Sequence, residues 1–405
     1  MTQPSPSSRA ATPQLEARHV PSGLNSRFNG DHLAFTDYVT LTRDMIRQVR
    51  FKSGTADLEK ILEKIVDGNS PFELKPATYS PGQKKSYQRG ILLTHGLTDS
   101  PYFMRYLATF FQEQGFRVMA ILLPGHGTQP GDLLEVTWPE WAKAVAYGTN
   151  QLAAEVDEVY LAGYSAGCAL SIQQSLQDAR VRGLFLFSPA LKISPRAIWA
   201  NWHKFYSWLK LSARWVNIRP DQDIYKYESF PKNAAAQMRA LAGVVTAQLQ
   251  QQELNIPVFT ATSQDDTTAI VAATLEFMAR ARHPSNKLVL YTTDTKKMPQ
   301  DFPEEKLELV NSVVPEQNII SSSHTAVVLP PEDPHYGVGG EYSNCVHYYP
   351  GKIEQYTACN LNPPGLLQGE ITPENLEMGT LRRLMYNPNF AALKVSLKQF
   401  IEKLD

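Results

Sequence analysis

Short apolar runs alternate with helical patterns through the middle of the chain. These runs lie at 91–93, 116–123, 159–162, 183–187, 257–262 and 287–291. Strands that alternate with helices are typical of an α/β protein whose mostly parallel sheet is flanked by helices. A capping-box pair, Thr137 and Glu140 around Trp138-Pro139, predicts the start of the helix after the second run.

Apolar residues also recur every three or four positions on both sides of this region, at 35–49, 58–65 and 390–404. The first two patterns predict an N-terminal helical extension over residues 26–84, and the third predicts a closing helix. Residues 1–25 are rich in Ser, Pro, Thr and Gln and have little apolar surface to bury, so we expect a mobile leader there.

The strand rhythm stops between residues 191 and 255, where an aromatic, helix-compatible segment appears. We expect this segment to form a helical cap over the sheet. Its rings, among them Trp199, Trp202 and Phe205, either pack inside the cap or line an apolar pocket that binds substrate.

Composition and charge narrow the classes of partner. The chain is 43% hydrophobic and 20% charged, which is typical of a folded soluble protein. Its 39 basic and 40 acidic residues give a net charge of -1, so we expect no nucleic-acid partner. Apolar runs are too short for a transmembrane span, although transient contact with a membrane surface stays open. With no recognisable signal peptide, we expect a cytoplasmic location and leave open an export route that the sequence does not mark.

Three cysteines, Cys168, Cys345 and Cys359, are too few for a disulfide framework, which fits a reducing compartment. A disulfide between Cys345 and Cys359 stays open. We expect no metal site, because the spacing of these two cysteines with His335 and His347 matches no familiar zinc pattern.

The pentapeptide Gly163-Tyr164-Ser165-Ala166-Gly167 has the form G-x-S-x-G, and it follows a strand pattern and precedes a helical one. That context is the one a nucleophile elbow requires. The turn is so tight that a side chain at either flanking glycine position would collide with its neighbours. We therefore expect Ser165 to be a nucleophile whose hydroxyl is exposed above the sheet.

A serine hydroxyl needs a base to take its proton and an acid to orient that base, and in this arrangement both follow the serine in the chain. Asp265 and Asp266 lie in the loop after the fifth apolar run. His324 is the preferred base, because it follows a serine run and precedes an apolar one. His335 and His347 also lie downstream but lack that context.

Backbone amides are the usual donors to the oxyanion that forms when such a serine attacks a carbonyl. We expect one donor at Ala166, directly after the serine, and the other at Leu97, in the loop after the first apolar run. His95 and His126 lie upstream of Ser165 and are interpreted as structural.

Residues 90–189 resemble bacterial carboxylesterases and monoacylglycerol lipases of the α/β-hydrolase superfamily. Four motifs carry the resemblance: His95-Gly96-Leu97-Thr98, Pro124-Gly125-His126-Gly127 with the Thr137 and Trp141 segment, the elbow at Ser165, and the His324 loop. The resemblance implies an α/β-hydrolase fold whose core has two parts, 85–190 and 256–405, with the cap between them.

The resemblance also implies hydrolysis of a small acyl ester by a Ser-His-Asp triad, with no cofactor. In related esterases the acid's loop has the form G-x-x-D-x-x-V, which Ser263, Asp266 and Ala269 fit, so Asp266 is preferred and Asp265 stays the alternative. Acylglycerols, lysophospholipids and other acyl esters all remain candidate substrates, and the oligomeric state is not indicated.

Two other functions stay open. A peptidase or amidase of the same fold would need an acidic group near the elbow to hold a substrate amine, and Glu228 and Asp223 are candidates. A binding module with a relic triad is the other possibility, because fold alone does not establish function. The complete set of Ser, His and Asp argues against that second alternative.

Overall fold

The computed structural model describes residues 14–51, 56–78, 81–192, 211–299 and 302–404. The strands are β1 Phe72–Leu74, β2 Tyr87–Thr94, β3 Arg117–Ile121, β4 Val156–Tyr164, β5 Val181–Phe187, β6 Trp215–Asn217, β7 Phe230–Pro231, β8 Val258–Ser263, β9 Lys287–Thr292, β10 Leu307–Asn311, β11 Leu367–Gly369 and β12 Leu381–Arg383. The helices are α1 Phe35–Arg50, α2 Ala56–Asn69, α3 Arg105–Glu113, α4 Trp138–Glu155, α5 Ala166–Gln177, α6 Lys232–Gln251, α7 Val271–Arg280, α8 Ile353–Asn360, α9 Pro373–Glu377 and α10 Phe390–Ile401.

Eight strands form one sheet in the order β1-β3-β2-β4-β5-β8-β9-β10. Strand β1 runs antiparallel to β3, and the other neighbours are parallel. The predicted mostly parallel sheet is thus confirmed. All six apolar runs become its strands, whereas the sequence patterns did not predict β1 and β10.

Both faces of this sheet are covered, which explains why its strands are continuously apolar. Successive residues of β2 alternate between two buried clusters, with Leu92 in one and Leu93 in the other. The first cluster includes Trp141 of α4, and the second includes Leu107 of α3 and Leu393 of α10. Because seven of the eight strands are parallel, their carboxyl ends lie at one edge of the sheet, next to these two buried clusters.

Helix α4 begins where the sequence predicts, at Trp138, with Thr137 at the N-cap. The predicted capping-box bond is absent, because the Thr137 side chain makes no cap hydrogen bond. The Glu140 carboxylate accepts instead from the backbone N–H of Phe28, at 2.9 Å, and from Lys143, at 2.8 Å. A contact with the N-terminal extension replaces the local cap.

The expected mobile leader differs from the structure over residues 14–25, and residues 1–13 lie outside the described ranges. His19 is fully buried, and the backbone N–H of Ser22 donates to the Asp132 carboxylate at 2.6 Å. The Asn25 amide donates to the carbonyl of His126 at 2.7 Å. Polar side chains thus anchor a segment that has too little apolar surface to signal packing in its sequence.

The expected boundary between extension and core also differs, because β1 belongs to the sheet although it precedes residue 85. Within the expected cap, the described part contains the β6–β7 pair and the 20-residue helix α6. The backbone N–H of Tyr227 donates to the carbonyl of Thr98 at 2.8 Å, so the described part of the cap contacts the loop after β2. Trp199, Trp202 and Phe205 lie outside the described residues.

The region after β10 contains a second pair of strands and a disulfide. Strands β11 and β12 pair in parallel, and a disulfide joins Cys345 to Cys359, with their Cα atoms 6.0 Å apart. The pairing left open by the sequence is therefore formed. Among the described helices, none is both long and apolar enough to cross a membrane.

Candidate active site

Ser165 occupies a strained turn between β4 and α5. Its backbone has φ 54° and ψ -112°, a conformation that non-glycine residues rarely adopt. A Cβ atom on Gly163 would lie 2.3 Å from the carbonyl carbon of Gly167, and one on Gly167 would lie 2.1 Å from the carbonyl oxygen of Thr94. Both glycines are therefore required by close backbone contact. The serine itself is only 7% exposed, so the expectation of an exposed hydroxyl is wrong.

The structure brings Ser165, His324 and Asp266 together from separate loops at the carboxyl edge of the sheet. The Oγ of Ser165 lies 2.8 Å from Nε2 of His324, and Nδ1 of His324 lies 2.6 Å from Oδ2 of Asp266. Because an ionised carboxylate only accepts, Nδ1 carries the proton and Nε2 is free to accept from the serine hydroxyl. This arrangement is able to activate an alcohol for attack on a carbonyl.

The two neighbouring aspartates have different environments. The Asp266 side chain is fully buried, and its Oδ1 accepts from the backbone N–H groups of Thr268 and Ala269, at 2.7 and 2.9 Å. The Oδ2 atom of Asp265 is buried without a hydrogen-bond partner. Burial, together with the charge of Glu370, raises the pKa of Asp265 to about 6. Asp266, not Asp265, is the carboxylate that contacts His324.

His324 is held by groups that the sequence did not single out. Its backbone N–H donates to Oε2 of Glu370 at 3.0 Å, and its carbonyl accepts from the Ser188 hydroxyl at 3.0 Å and the Tyr164 hydroxyl at 3.4 Å. Burial raises the pKa of Tyr164 well above its ordinary value, so that hydroxyl keeps its proton. Tyr164 was visible as a variable position of the pentapeptide, whereas no motif marked Glu370 or Ser188.

Leu97 lies in the loop after β2, and this loop lies against the serine. A Cβ atom on Gly96 would lie 3.1 Å from Cβ of Ser165, so the backbone just before Leu97 comes very close to that serine. Thr98 has φ 67°, and its hydroxyl accepts from Nζ of Lys226 at 3.1 Å. Lys226 also pairs with the buried Asp99. Ala166 is the first residue of α5 and directly follows Ser165.

His95 and His126 make contacts that support the interpretation of both as structural. Nε2 of His95 accepts from the backbone N–H of Leu123 at 3.0 Å, and Nδ1 therefore donates to the carbonyl of Gly96 at 2.8 Å. Burial lowers the pKa of His95 well below its ordinary value and lowers that of His126 to about 4. Both rings are therefore neutral at pH 7 and bonded to backbone.

The other downstream histidines lie away from the serine. His335 contacts Asp223 at 3.2 Å and Glu341 at 3.0 Å, and these carboxylates raise its pKa against the opposing effect of burial. Burial lowers the pKa of His347 to about 3. Neither ring has a hydrogen bond to Ser165 in the described structure.

The two acids considered for binding a substrate amine each accept from a tyrosine hydroxyl, and Oε2 of Glu228 is buried without a hydrogen-bond partner. The Asp223 carboxylate is buried and accepts from the Tyr336 hydroxyl at 2.7 Å. Glu228 accepts from the Tyr342 hydroxyl at 2.7 Å, and burial raises the pKa of Glu228 to about 7. Neither contact favours an amine site.

Within the described ranges, no three His, Cys, Asp or Glu side chains lie together as a metal site would require. The two cysteines weighed as zinc ligands are joined in the disulfide. A cleft of about 910 Å³ lies between α6 and α7, and the residues that line it include Leu191 and Phe277 but not Ser165, His324 or Asp266.

Comparison with known proteins gives distant relatives among lipases and esterases. The thermostable monoacylglycerol lipase of Bacillus sp. (strain H-257) is 30% identical over 104 residues, which cover 26% of this chain and 42% of the lipase. The carboxylesterase of Bacillus subtilis (strain 168) is 23% identical over 172 residues, covering 42% of this chain and 67% of the esterase. The chain thus spans less than half of the lipase and about two thirds of the carboxylesterase.

Solved structures that match part of the chain include one described under the metagenome-derived lipolytic enzymes LipS and LipT, with a TM-score of 0.46 and 22% identity over 55% of this chain and 87% of that chain. The monoacylglycerol lipase of Paleococcus ferrophilus matches with a TM-score of 0.43 and 17% identity, over 55% of this chain and 88% of that chain. The model of the alpha/beta hydrolase family matches residues 91–336. Since that match spans more than half of the chain, this protein belongs to the alpha/beta hydrolase family.

Proposed function

We propose that this protein hydrolyses carboxylic esters through an acyl-enzyme on Ser165. The observation that carries the proposal is the continuous hydrogen-bonded chain from Ser165 through His324 to Asp266, at 2.8 and 2.6 Å. The match to the alpha/beta hydrolase family and the names of the two relatives, a lipase and a carboxylesterase, support ester hydrolysis.

In the proposed reaction, Nε2 of His324 takes the proton from the Ser165 hydroxyl as Oγ attacks the ester carbonyl carbon. The tetrahedral intermediate collapses as its bond to the leaving oxygen breaks, and His324 gives its proton to that oxygen. A water molecule then attacks the acyl-enzyme by the same route and releases the acid and free Ser165. Asp266 orients the ring throughout and stabilises the imidazolium.

We assign the oxyanion donors to the backbone N–H groups of Leu97 and Ala166. The close approach of Gly96 to Ser165 and the position of Ala166 at the start of α5 support this assignment. Each such donor contributes about 3 kcal/mol of transition-state stabilisation in an enzyme of this kind. Lys226 and Asp99, paired beside Thr98, stabilise the conformation of the loop that carries Leu97.

The proposed substrates are acyl esters, with acylglycerols and lysophospholipids as the classes to test first. The names of the two relatives, a monoacylglycerol lipase and a carboxylesterase, support that range. We propose that residues 191–255 act as the cap and that Trp199, Trp202 and Phe205 provide apolar surface for the acyl chain. Because disulfides persist mainly in oxidising compartments, the Cys345–Cys359 disulfide favours the export route that the sequence left open over the cytoplasmic location expected from it.

The experiment is an acyl-chain-length series of p-nitrophenyl esters, run on wild type and Ser165→Ala in parallel, with p-nitroanilides as the amide counterparts. We expect ester hydrolysis by wild type, and a loss of at least about 10³-fold in the variant. Circular dichroism confirms that both proteins are folded. Hydrolysis of anilides faster than esters would favour a peptidase, and ester hydrolysis retained by Ser165→Ala would overturn the proposal.

A further inference from the structure

We propose that Glu370 is a positioning residue, which holds His324 in register with Ser165 by accepting the hydrogen bond of the His324 backbone amide. This inference rests on the proposed function, because it assumes that His324 is the base. Glu370 touches neither Ser165 nor the imidazole ring in the hydrogen bonds of the described structure, so its effect on chemistry is indirect.

The Glu370 carboxylate is completely buried and bridges two parts of the chain. Its Oε2 atom accepts from the N–H of His324 at 3.0 Å. Its Oε1 atom accepts from the N–H of Ile371 at 2.8 Å and lies 2.8 Å from Nη2 of Arg383 in β12. One side chain therefore ties the histidine loop to the paired strands β11 and β12.

The charge at this position has a physical reason. A buried carboxylate without a partner costs several kcal/mol, so it persists only where donors and a cation compensate it. Arg383 supplies the cation, and the two backbone amides supply donors. A neutral side chain such as glutamine would place an NH₂ group against one of these donors. The Glu370 carboxylate is thus able to accept from the His324 N–H through one oxygen and from the Ile371 N–H and Arg383 through the other.

Glu370 is itself fixed by the segment that leads to His324. Its backbone N–H donates to the Ser321 hydroxyl at 2.9 Å, and the Asn375 amide bonds both the Glu370 carbonyl, at 2.9 Å, and that same hydroxyl, at 3.1 Å. The backbone N–H of Ile320, the residue before Ser321, donates to the carbonyl of Gln368 at 2.9 Å. Glu370 and the loop that carries His324 are therefore joined by several hydrogen bonds.

The residues on either side of His324 have restraints of their own, so Glu370 is the group that holds the backbone N–H of His324 itself. The hydroxyls of Ser323 and Thr325 both donate to the carbonyl of Leu384, at 2.6 and 2.9 Å, and the His324 carbonyl faces Ser188. Without Glu370, the buried N–H of His324 would lose its acceptor and the loop would turn to find another. A displacement of about 1 Å at a catalytic group is able to cost about 100-fold in rate.

The test compares Glu370→Ala and Glu370→Gln with a matched control, Asp333→Ala. Asp333 is also a buried carboxylate that accepts two backbone amides, those of His335 and Tyr336, at 2.9 and 2.6 Å. It accepts from the Tyr102 hydroxyl at 2.9 Å, lies outside the proposed cap, and has no hydrogen bond to Ser165, His324 or Asp266 in the described structure. Both alanine variants therefore remove a similar structural contact.

We expect both alanine variants to lower the melting temperature, but only Glu370→Ala to lower kcat, by about tenfold or more at unchanged KM. Glu370→Gln should recover part of that kcat, because its amide oxygen is able to accept from the His324 N–H. Equal losses of kcat in Glu370→Ala and Asp333→Ala would overturn the proposal, as would a folded Glu370→Ala with wild-type kcat.

If Glu370→Ala does not fold, Glu370→Met takes its place, because methionine keeps the length of the side chain but offers no strong acceptor to the His324 N–H. A wild-type kcat in that folded variant contradicts the positioning role. The parallel Ser165→Ala measurement separates the two levels of inference. Activity that survives Ser165→Ala removes the proposed function itself. Activity that is lost in Ser165→Ala but unchanged in the Glu370 variants removes only the role of Glu370.

Discussion

The turn that carries Ser165 and the loop that carries His324 meet at one hydrogen bond but are built differently. The serine turn is local: β4 and α5 are consecutive, and the close approach of Gly163 and Gly167 fixes its shape. The histidine loop depends on residues that are distant in sequence. Glu370, which binds the His324 N–H, follows it by 46 positions. Leu384 follows its partners Ser323 and Thr325 by 61 and 59 positions.

This difference explains what each part tolerates. In the turn, backbone sterics leave almost no choice of residue, so a short motif is enough to recognise it. In the histidine loop, side-chain hydrogen bonds fix the backbone shape, and many combinations of polar residues are able to form such bonds. The geometry that fixes Ser165 is therefore visible in the sequence, whereas the contacts that hold His324 in place are seen only in the folded chain.

The largest expected effect separates the two aspartates beside the histidine loop. Asp266→Asn should lower kcat by about 10⁴-fold, because an amide at this position favours the wrong tautomer of His324. Asp265→Asn is the matched control and should leave kcat near the wild-type value, since Asp265 makes no contact with the ring. Steady-state kinetics on a p-nitrophenyl ester measures both, and the reverse ranking would assign the acid to Asp265.

The next prediction tests the serine turn through its glycines. Gly167→Ala should lower activity by about 100-fold or more, because its new methyl group would displace the backbone of Thr94 and with it the turn. Gly243→Ala in α6 has no atom within 4 Å of its new methyl group and should stabilise the protein by about 0.5 to 1 kcal/mol. Activity and thermal melts distinguish them. A fully active Gly167→Ala enzyme would show that the turn is not sterically closed.

A smaller effect is expected on the side of the histidine loop, from loss of the disulfide. Cys345 and Cys359 are 14 positions apart, and closing such a loop contributes about 3 kcal/mol. Tyr348, between them, accepts from the backbone N–H of Leu381 in β12 at 3.0 Å, so the disulfide segment supports the strand that carries Arg383.

Reductant should therefore lower the melting temperature of wild type and leave the Cys345→Ser/Cys359→Ser double variant unchanged. The double variant should melt at a lower temperature than oxidised wild type. An identical response of the two proteins to reductant would mean that the disulfide does not support this region.

The smallest predicted effect is the pH dependence of stability at Asp265. Burial and Glu370 raise its pKa in the folded protein to about 6, above the ordinary value of 3.8. Folding therefore favours the protonated form, and the stability it contributes below pH 3.8 is lost as the pH rises through 6. Asp265→Asn should stabilise the protein at pH 8 by about 1 kcal/mol, after allowance for partial exposure, and have little effect near pH 4. Melts at the two pH values test this, and an equal gain at both would contradict it.

Much of the fold was predictable because apolar periodicity records burial directly. The six strand runs and the helices at 35–50 and 390–401 follow from it. Strand β1 is only three residues long and half-buried, so it leaves no periodic signal. The packed residues 14–25 escaped prediction because hydrogen bonds to Asp132 and His126, rather than apolar surface, hold them.

The candidate site divides in the same way. Ser165, Asp266 and His324 stand in motifs whose spacing reflects backbone geometry, and the structure brings these three side chains together. Glu370 and Arg383 are single polar residues in a region without a motif, and their contacts form only when the chain after β10 folds back onto the sheet. Their contacts therefore leave no pattern in the sequence.

The most direct test of the central claim is covalent labelling of the active-site serine. Wild type, Ser165→Ala and His324→Ala are treated with a fluorophosphonate, and the intact mass and the modified peptide are determined by mass spectrometry. We predict one adduct per wild-type chain, located on Ser165, none on Ser165→Ala, and a much slower reaction in His324→Ala. A folded wild-type protein that hydrolyses esters but carries its adduct on another residue, or carries none, would contradict the account.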